Sequence, residues 1–416
     1  MALDPPRLPL ALRVLNAGGG WLRAAGLPLV PLDEQELLAR AREAAGLDDF
    51  GDESFHEGLG RLLHDLEHEA RLTFFGRLTA RQQILELLEG RLLVVDAWRK
   101  HPEILEQQIE RPIFILGLPR TGTSILHELL ALDPGNRVPM TWEVRRPHPP
   151  PRTATYDRDP RIAETAAHFE SIYRAIPAFR TMHPMGAQLP QECVAITAIE
   201  FASMIPETLY RVPGYQRWLA GTDLRPAYRF HRAFLQYLGW QCPGERWVLK
   251  SPQHLWALDA LLDVYPDACI IQCHRDPVRV EASLISLVTT LRALASDEID
   301  PLEIGADWSK HLAEGLQRTI DARERAQLSD DRVVDVFFHE FMRDEIATIR
   351  RIYQRFGLEL SAETEGRMRR FLADNAADKH GAHHYSLIDG GLDPDAERRR
   401  FARYQSRYPI PAEPVL

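Results

Sequence analysis

The chain has 416 residues, with 50 Lys and Arg against 60 Asp and Glu, so its formal net charge is −10. Hydrophobic residues make up 45% and charged residues 26%, which are ordinary values for a folded globular protein and exclude a disordered or collagen-like chain. The acidic balance argues against general nucleic-acid binding, because such binding uses a broad basic surface. We therefore expect a folded protein with no nucleic-acid partner, which can hold an anionic ligand only with a local cluster of donors.

The cysteine content and the N-terminal stretch bear on the compartment. Four cysteines in a chain of this length do not make a disulfide framework. Residues 8–30 are fairly apolar, but Arg13, Arg23 and three consecutive glycines interrupt them, so we expect neither a signal peptide nor a stable membrane insertion. We predict a cytoplasmic protein whose N-terminal arm packs on its own domain or on the partner of a homodimer. A segment lying on a membrane surface is the alternative.

Residues from 33 to about 108 have the pattern of consecutive helices. Asp33 and Glu36 form a capping-box pattern, Gly46 can end the helix that they begin, and Thr79 can cap a later helix. No catalytic pattern is present here. We predict that residues 1–108 form a helical arm and cap, and that residues 109–416 form an α/β domain.

Four short apolar runs, which alternate with helical patterns, predict the strands of a parallel sheet: residues 113–116, 247–249, 268–271 and 333–337. Strands that alternate with helices are typical of a doubly wound α/β fold with helices on both faces. Between the first two runs, residues from about 140 to 245 are rich in proline, aromatic residues and methionine. We expect this helical insertion to form a lid or the wall of a pocket.

The first strand leads into a loop that has the spacing of a phosphate-binding loop. Residues 117–124 read G-x-x-x-x-G-T-S and precede a helical run, an arrangement in which backbone N–H groups and hydroxyls converge on an anion. A nucleotide triphosphatase would carry lysine where this chain has Thr123, so ATP hydrolysis and kinase chemistry are disfavoured. The basic residue stands inside the loop, as Arg120.

With this loop the sequence resembles the sulfotransferase superfamily, whose 5′-phosphosulfate loop has the form P-K/R-x-G-T-T/S. The matching residues are Pro119, Arg120, Thr121, Gly122, Thr123 and Ser124. The second signature of the family, a 3′-phosphate site, is an arginine at the end of a strand and a serine eight residues later, matched by Arg275 and Ser283. A guanidinium gives bidentate bonds to a phosphate, which fits that role. The resemblance covers roughly residues 110–405 and implies a P-loop-like fold.

The resemblance also implies a reaction. The family transfers a sulfuryl group from 3′-phosphoadenosine 5′-phosphosulfate to a hydroxyl, leaves 3′,5′-adenosine bisphosphate and needs no metal. A family lysine at the end of a strand contacts the transferring group, and Lys250 matches it. A basic residue and a glycine near the C-terminus close over the 3′-phosphate, which Lys379 and Gly381 match loosely. The aromatic and methionine content of the insertion favours a small apolar or aromatic acceptor.

The resemblance leaves open which residue is the general base. Cytosolic members place a histidine two residues after their lysine, but here that position is Pro252 and His254 follows two residues later. Tyrosylprotein-type members use a glutamate after the first loop and helix, which Glu143 matches, and Glu192 is a third choice. Arg120, Lys250, Glu143 and His254 are therefore the candidate catalytic residues.

Two other functions can use the same loop. A P-loop nucleotide kinase or triphosphatase would bind ATP with Mg²⁺ more tightly than the bisphosphate. A catalytically inactive relative would bind the bisphosphate and transfer nothing. Both stand as alternatives to a sulfotransferase.

Overall fold

The computed structural model describes residues 8–25, 30–175, 185–375 and 386–414. Its N-terminal part is helical, as predicted, with α1 (Leu10–Ala24), α2 (Glu34–Ala45), α3 (Phe55–His68) and α4 (Phe74–Lys100). The Asp33 carboxylate accepts the Glu36 N–H at 2.9 Å to begin α2, and Gly46 ends α2 in a left-handed conformation. The prediction that Thr79 caps a helix is wrong, because α4 already begins after Thr73, whose hydroxyl accepts the Gly76 N–H at 3.0 Å.

The strands form one parallel sheet in the order β2–β3–β1–β4–β5. They are β1 (Ile113–Leu116), β2 (Asn136–Arg137), β3 (Arg246–Lys250), β4 (Cys269–His274) and β5 (Val333–Phe337). The four predicted strands are confirmed; the apolar pattern missed β2 because both of its residues are polar. Since all neighbouring strands are parallel, the loops that follow β1, β3 and β4 leave the sheet at the same edge, which is where ligands of open α/β sheets bind.

Helices cover both faces of the sheet and confirm the doubly wound α/β fold. After β1 they are α5 (Thr123–Leu130), α6 (Thr141–Arg145), α7 (Pro160–Ala175), α8 (Cys193–Thr197), α9 (Ile205–Leu209), α10 (Pro213–Gly221) and α11 (Arg225–Gly239). After β3 they are α12 (Leu258–Val264), α13 (Pro277–Arg292), α14 (Pro301–Ala326), α15 (Phe338–Phe341), α16 (Glu345–Phe356), α17 (Ala362–Asp374), α18 (Pro394–Arg400) and α19 (Ala402–Arg407). The insertion between β2 and β3 is helical in its described part.

The hydrophobic core joins the N-terminal helices to the sheet. One cluster of buried side chains runs from α2, α3 and α4 through the insertion to one face of the sheet, where it includes Phe114 of β1 and Leu249 of β3. The other face packs against α5 and α16 through Ile113 and Ile115. Helix α4 therefore lies close enough to the sheet to border a site at its edge. Within the described ranges, no helix is both long and apolar enough to cross a membrane.

Candidate active site

The phosphate loop connects β1 to α5 and is held in an unusual backbone conformation. Gly122 has a φ of +87°, in the left-handed region where a side chain is strained, and a Cβ there would come within 3.3 Å of the Phe338 and Phe341 rings. Arg120 adopts a φ of +68° although it is not glycine. Inside the loop, the Thr121 hydroxyl donates to the carbonyl oxygen of Leu118 at 2.6 Å. The chain thus forms a tight turn that leads directly into α5.

The first turn of α5 offers donors to an anion. Gly122 is the N-cap residue of α5, and no side chain of the described chain caps this end. Because the first N–H groups of a helix have no partner inside it, they are free to bind an anion, which the helix dipole also favours. Thr123 and Ser124 place their hydroxyls in the same turn. The predicted loop residues thus lie together at the first turn of α5.

Lys250 stands beside this turn, at the carboxyl end of β3. Its ammonium group is buried, donates to the Ser124 hydroxyl at 3.3 Å and forms an ion pair with the Glu192 carboxylate. Glu192 is the residue before α8 and retains 24% of its side-chain exposure. The folded insertion therefore brings a carboxylate to the lysine and the loop.

A cavity of about 540 Å³ opens at this point. Its wall includes Ser124, Lys250 and Glu192, together with side chains from α4, α7 and the end of α13. Among the described residues, the apolar part of the wall includes Phe75, Leu87, Val144, Pro147, Phe169, Ile172, Met185, Leu189, Pro190, Ala195, Ala198, Ile199, Ile205, Leu209, Leu291, Leu294 and Ala295. A largely apolar cavity with a few converging polar groups is the usual form of a small-molecule site.

Two titratable side chains of α5 also line this cavity. Burial, together with the positive charge of Lys250, lowers the pKa of His127 to about 3, and His127 bonds the Val248 carbonyl at 3.1 Å. Burial raises the pKa of Glu128, and the charge of Lys250 opposes that rise. His127 is therefore neutral at physiological pH and serves the packing of the loop helix.

Arg275 follows β4 at the same edge of the sheet. Its guanidinium lies 3.9 Å from the centre of the Phe338 ring and donates to the carbonyl oxygen of Arg120 at 2.8 Å. It also forms two bonds with the carboxylate of Glu413, at 2.8 and 2.7 Å. Since Phe338 packs on Gly122 as well, this ring links the phosphate loop to the arginine.

Of the other residues predicted to bind the cofactor, Ser283 lies in α13 and is buried. Lys379 and Gly381 lie outside the described residues. Within the described ranges, no three His, Cys, Asp or Glu side chains are grouped to hold a metal ion.

Glu143, one of the two residues first predicted as the base, is completely buried at the N-terminal turn of α6. Its carboxylate accepts the Met140 N–H at 2.8 Å and both terminal nitrogens of Arg137, one of them at 3.1 Å. Glu143 is not among the described residues that line the cavity. This carboxylate holds the β2–α6 connection together through a buried ion pair, a position that does not favour a role as base.

His254 is also buried away from the cavity. Its Nδ1 bonds the Tyr228 hydroxyl at 2.6 Å, and its ring packs edge-on against Phe114 at 5.2 Å. Burial, with the charges of His231 and Lys250, holds the pKa of His254 well below its usual value. His254 is likewise absent from the described lining of the cavity, so its place is in the core under β1.

Comparison with known proteins identifies the kind of enzyme to which this site belongs. A family model described as the sulfotransferase family matches residues 112–362, which include the loop, Lys250, Arg275 and β5. The chain belongs to the sulfotransferase family. It is thus an enzyme that transfers sulfate, and the kinase or triphosphatase suggested by the loop frame alone is excluded.

Solved structures of mycobacterial relatives resemble this sulfotransferase along most of its length. Sulfotransferase STF1 from Mycobacterium tuberculosis is 36% identical, with a TM-score of 0.80 over 90% of this chain and 99% of that one. Sulfotransferase STF9 from Mycobacterium avium is 32% identical, with a TM-score of 0.86 over 92% and 98% of the two chains. A curated relative from M. tuberculosis, omega-hydroxy-beta-dihydromenaquinone-9 sulfotransferase Stf3, is 28% identical over 64% of this chain and 67% of its own length.

Two residues at this edge had little or no signal in the sequence. Glu128 lies one helical turn after Ser124, so its place on the cavity side of α5 follows from helical spacing once the loop is identified. Glu413 reaches Arg275 only through the packing of the C-terminal helices, and no motif marks it.

Proposed function

We propose that this sulfotransferase moves a sulfuryl group from 3′-phosphoadenosine 5′-phosphosulfate to the hydroxyl of an apolar alcohol. The observation that carries the proposal is the contact of Lys250 with both Glu192 and Ser124, at the point where the phosphate loop meets the cavity. A carboxylate, a cation and free helix N–H groups on one wall are the groups that sulfuryl transfer to an alcohol uses.

The residues at the sheet edge fit the donor. The uncapped first turn of α5 and the Ser124 hydroxyl suit its 5′-phosphosulfate end. Arg275, which contacts the loop at Arg120, suits its 3′-phosphate, with Ser283 as the partner that the family resemblance implies. A Cβ at Gly117 would lie 2.8 Å from the Cys273 carbonyl oxygen, so only glycine lets the loop run this close to β4. The donor supplies the sulfuryl group and leaves as 3′,5′-adenosine bisphosphate.

Among the three candidate bases, Glu192 alone combines access to the cavity with contact to the lysine. Its carboxylate takes the proton of the acceptor hydroxyl while the acceptor oxygen bonds to sulfur and the bond from sulfur to the bridging oxygen of the donor breaks. Lys250 stabilises the negative charge that develops on the bridging oxygen, and Arg120, exposed on the loop, adds positive charge at the same edge.

The acceptor follows from the wall of the cavity and from the relatives. The described lining is mostly aliphatic and aromatic, and it places Lys250, Glu192 and Ser124 in contact with one another, so a molecule with an apolar body and one hydroxyl fits. The Stf3 relative carries the name of a hydroxylated menaquinone derivative. Among the candidate acceptors, we therefore favour an alcohol at the end of an apolar chain, with phenols as the second choice.

The proposal is tested with labelled donor and a panel of acceptors, namely long-chain and prenyl alcohols, phenols, sterols and sugars. Product is detected by mass spectrometry, with binding of the bisphosphate measured in parallel. Transfer to the chain alcohols is expected. Transfer only to sugars, or bisphosphate binding without transfer to any alcohol of the panel, would overturn the acceptor class.

A further inference from the structure

The C-terminal segment places a carboxylate on the arginine of the proposed 3′-phosphate site. The Glu413 carboxylate accepts two parallel hydrogen bonds from Arg275: one from Nε at 2.8 Å and one from Nη2 at 2.7 Å. The remaining nitrogen, Nη1, donates to the Arg120 carbonyl oxygen, and Phe338 covers one face of the guanidinium. The donating edge that would receive a phosphate is therefore already bound to Glu413.

Backbone contacts fix Glu413 in this position. Its N–H donates to the Asp276 carboxylate at 2.7 Å, and its carbonyl oxygen accepts from Arg398 at 3.2 Å. Arg398 also pairs with Asp276 at 2.5 Å, and Asp276 in turn caps α13 through the Val278 N–H at 3.1 Å. The segment is thus bound to the residue directly after Arg275 as well as to Arg275 itself.

Helix α19 brings the segment to this edge. The Tyr404 hydroxyl bonds His274 Nδ1 at 2.6 Å, and the Tyr408 ring lies 4.1 Å from the His274 ring. His274 is the last residue of β4 and precedes Arg275. The end of the strand therefore positions both the arginine and the segment that binds it.

We propose that the Glu413 carboxylate is an internal ligand of Arg275, and that the 3′-phosphate of the nucleotide must displace this carboxylate. This proposal rests on the function proposed above. A 3′-phosphate carries more negative charge and more acceptor oxygens than a carboxylate, so the exchange is favourable. The exchange still lowers the apparent affinity, because only the fraction of molecules with Arg275 free is ready to bind.

The exchange affects only nucleotides that use Arg275. A nucleotide with a 5′-phosphate and a 3′-hydroxyl binds the loop and leaves the Arg275–Glu413 pair in place. A nucleotide that carries both phosphates has to open the pair. Glu413 thus tunes the affinity for the donor and for the bisphosphate product, and its return to Arg275 assists the release of that product.

The test uses Glu413→Gln in the full-length protein, with Glu359→Gln as a control that removes the same charge from an exposed position. Calorimetric titration measures the dissociation constants of 3′,5′-adenosine bisphosphate and of adenosine 5′-monophosphate. Because the pair is part-buried and bidentate, Glu413→Gln is expected to tighten bisphosphate binding roughly threefold to tenfold and to leave the monophosphate within twofold. On an Arg275→Ala background, which itself weakens bisphosphate binding, Glu413→Gln should have no further effect.

The outcomes separate this proposal from the proposed function. If the wild type binds the bisphosphate through Arg275 and Glu413→Gln changes nothing, or shifts both nucleotides equally, the internal ligand is refuted and the function stands. If Glu413→Gln lowers only the melting temperature, the segment has a structural role and the proposal fails. If neither protein binds the bisphosphate, both proposals fall.

Discussion

Substitution by glutamine should mainly reduce the stability of the fold at Glu143 and mainly reduce turnover at Glu192. Glu143 is completely buried against Arg137, so glutamine leaves a buried guanidinium without its counter-charge. Breaking a buried ion pair costs about 3–5 kcal/mol; the remaining bonds of Arg137, to Tyr156 and to two carbonyl groups, favour the lower end of that range. We expect Glu143→Gln to lower the free energy of unfolding by about 3 kcal/mol.

Glu192 keeps 24% of its side-chain exposure, so water can replace part of what Glu192→Gln removes. Lys250 is buried but keeps its bond to Ser124, so the loss should cost less than that of Glu143, about 2 kcal/mol of stability. The effect on turnover should be large, because a general base contributes about 10²–10⁴-fold to the rate. We therefore expect kcat to fall at least about 100-fold, with bisphosphate affinity unchanged within a few-fold.

Urea unfolding and single-turnover transfer below the unfolding range measure the two effects on the same preparations. Each variant is the control for the other, since both lose one negative charge and keep nearly the same shape. A Glu143→Gln variant that is stable but inactive would contradict Glu192 as the base and would support Glu143, which the family resemblance indicates. A Glu192→Gln variant that keeps more than a tenth of kcat would remove Glu192 as the base.

Two further predictions concern buried carboxyl groups away from the cavity. Glu281 is buried beside Glu397, and burial raises its pKa to about 8, so the folded chain holds a proton that the unfolded chain loses above about pH 4.5. The free energy of unfolding of the wild type should therefore fall as the pH rises from about 5 to 8. That of Glu281→Gln should equal the wild-type value at pH 5 and exceed it by about 3 kcal/mol at pH 8. Parallel pH profiles of the two proteins would contradict this. The Glu200 carboxylate pairs with the fully buried Arg91 of α4. Glu200→Gln should therefore lower the free energy of unfolding, measured in urea, by about 3 kcal/mol without changing nucleotide affinity. An unchanged unfolding midpoint would refute the importance of this pair.

The parts of the molecule that the sequence predicts well depend on local patterns. An apolar run of four residues is enough to identify β1 as a buried parallel strand, and the glycine spacing after it places the loop and α5. The family resemblance singled out Lys250 and Arg275, and each directly follows or ends an apolar strand. Parallel topology then brings these strand ends to one edge without any further information from the sequence.

The base could not be chosen in this way, because its environment depends on distant parts of the chain. Glu143 matches the location expected from the family with a small insertion, but Arg137, six residues earlier, pairs with it once β2 joins the edge of the sheet. Glu192 was only the third choice, because no family motif marks it. It meets Lys250 only because the insertion folds back over the end of β3.

The two proposals share one electrostatic feature that explains how an acidic chain can hold an anionic donor. Lys250 is paired with Glu192 and Arg275 with Glu413, so these two positive charges are balanced by carboxylates of the chain. In the two proposals, the donor replaces both carboxylates with its own negative groups. Exchange at Arg275 would admit the 3′-phosphate, and exchange at Lys250 would free Glu192 to accept a proton. The base therefore becomes available when the donor is in place, so that donor binding precedes removal of the proton from the acceptor.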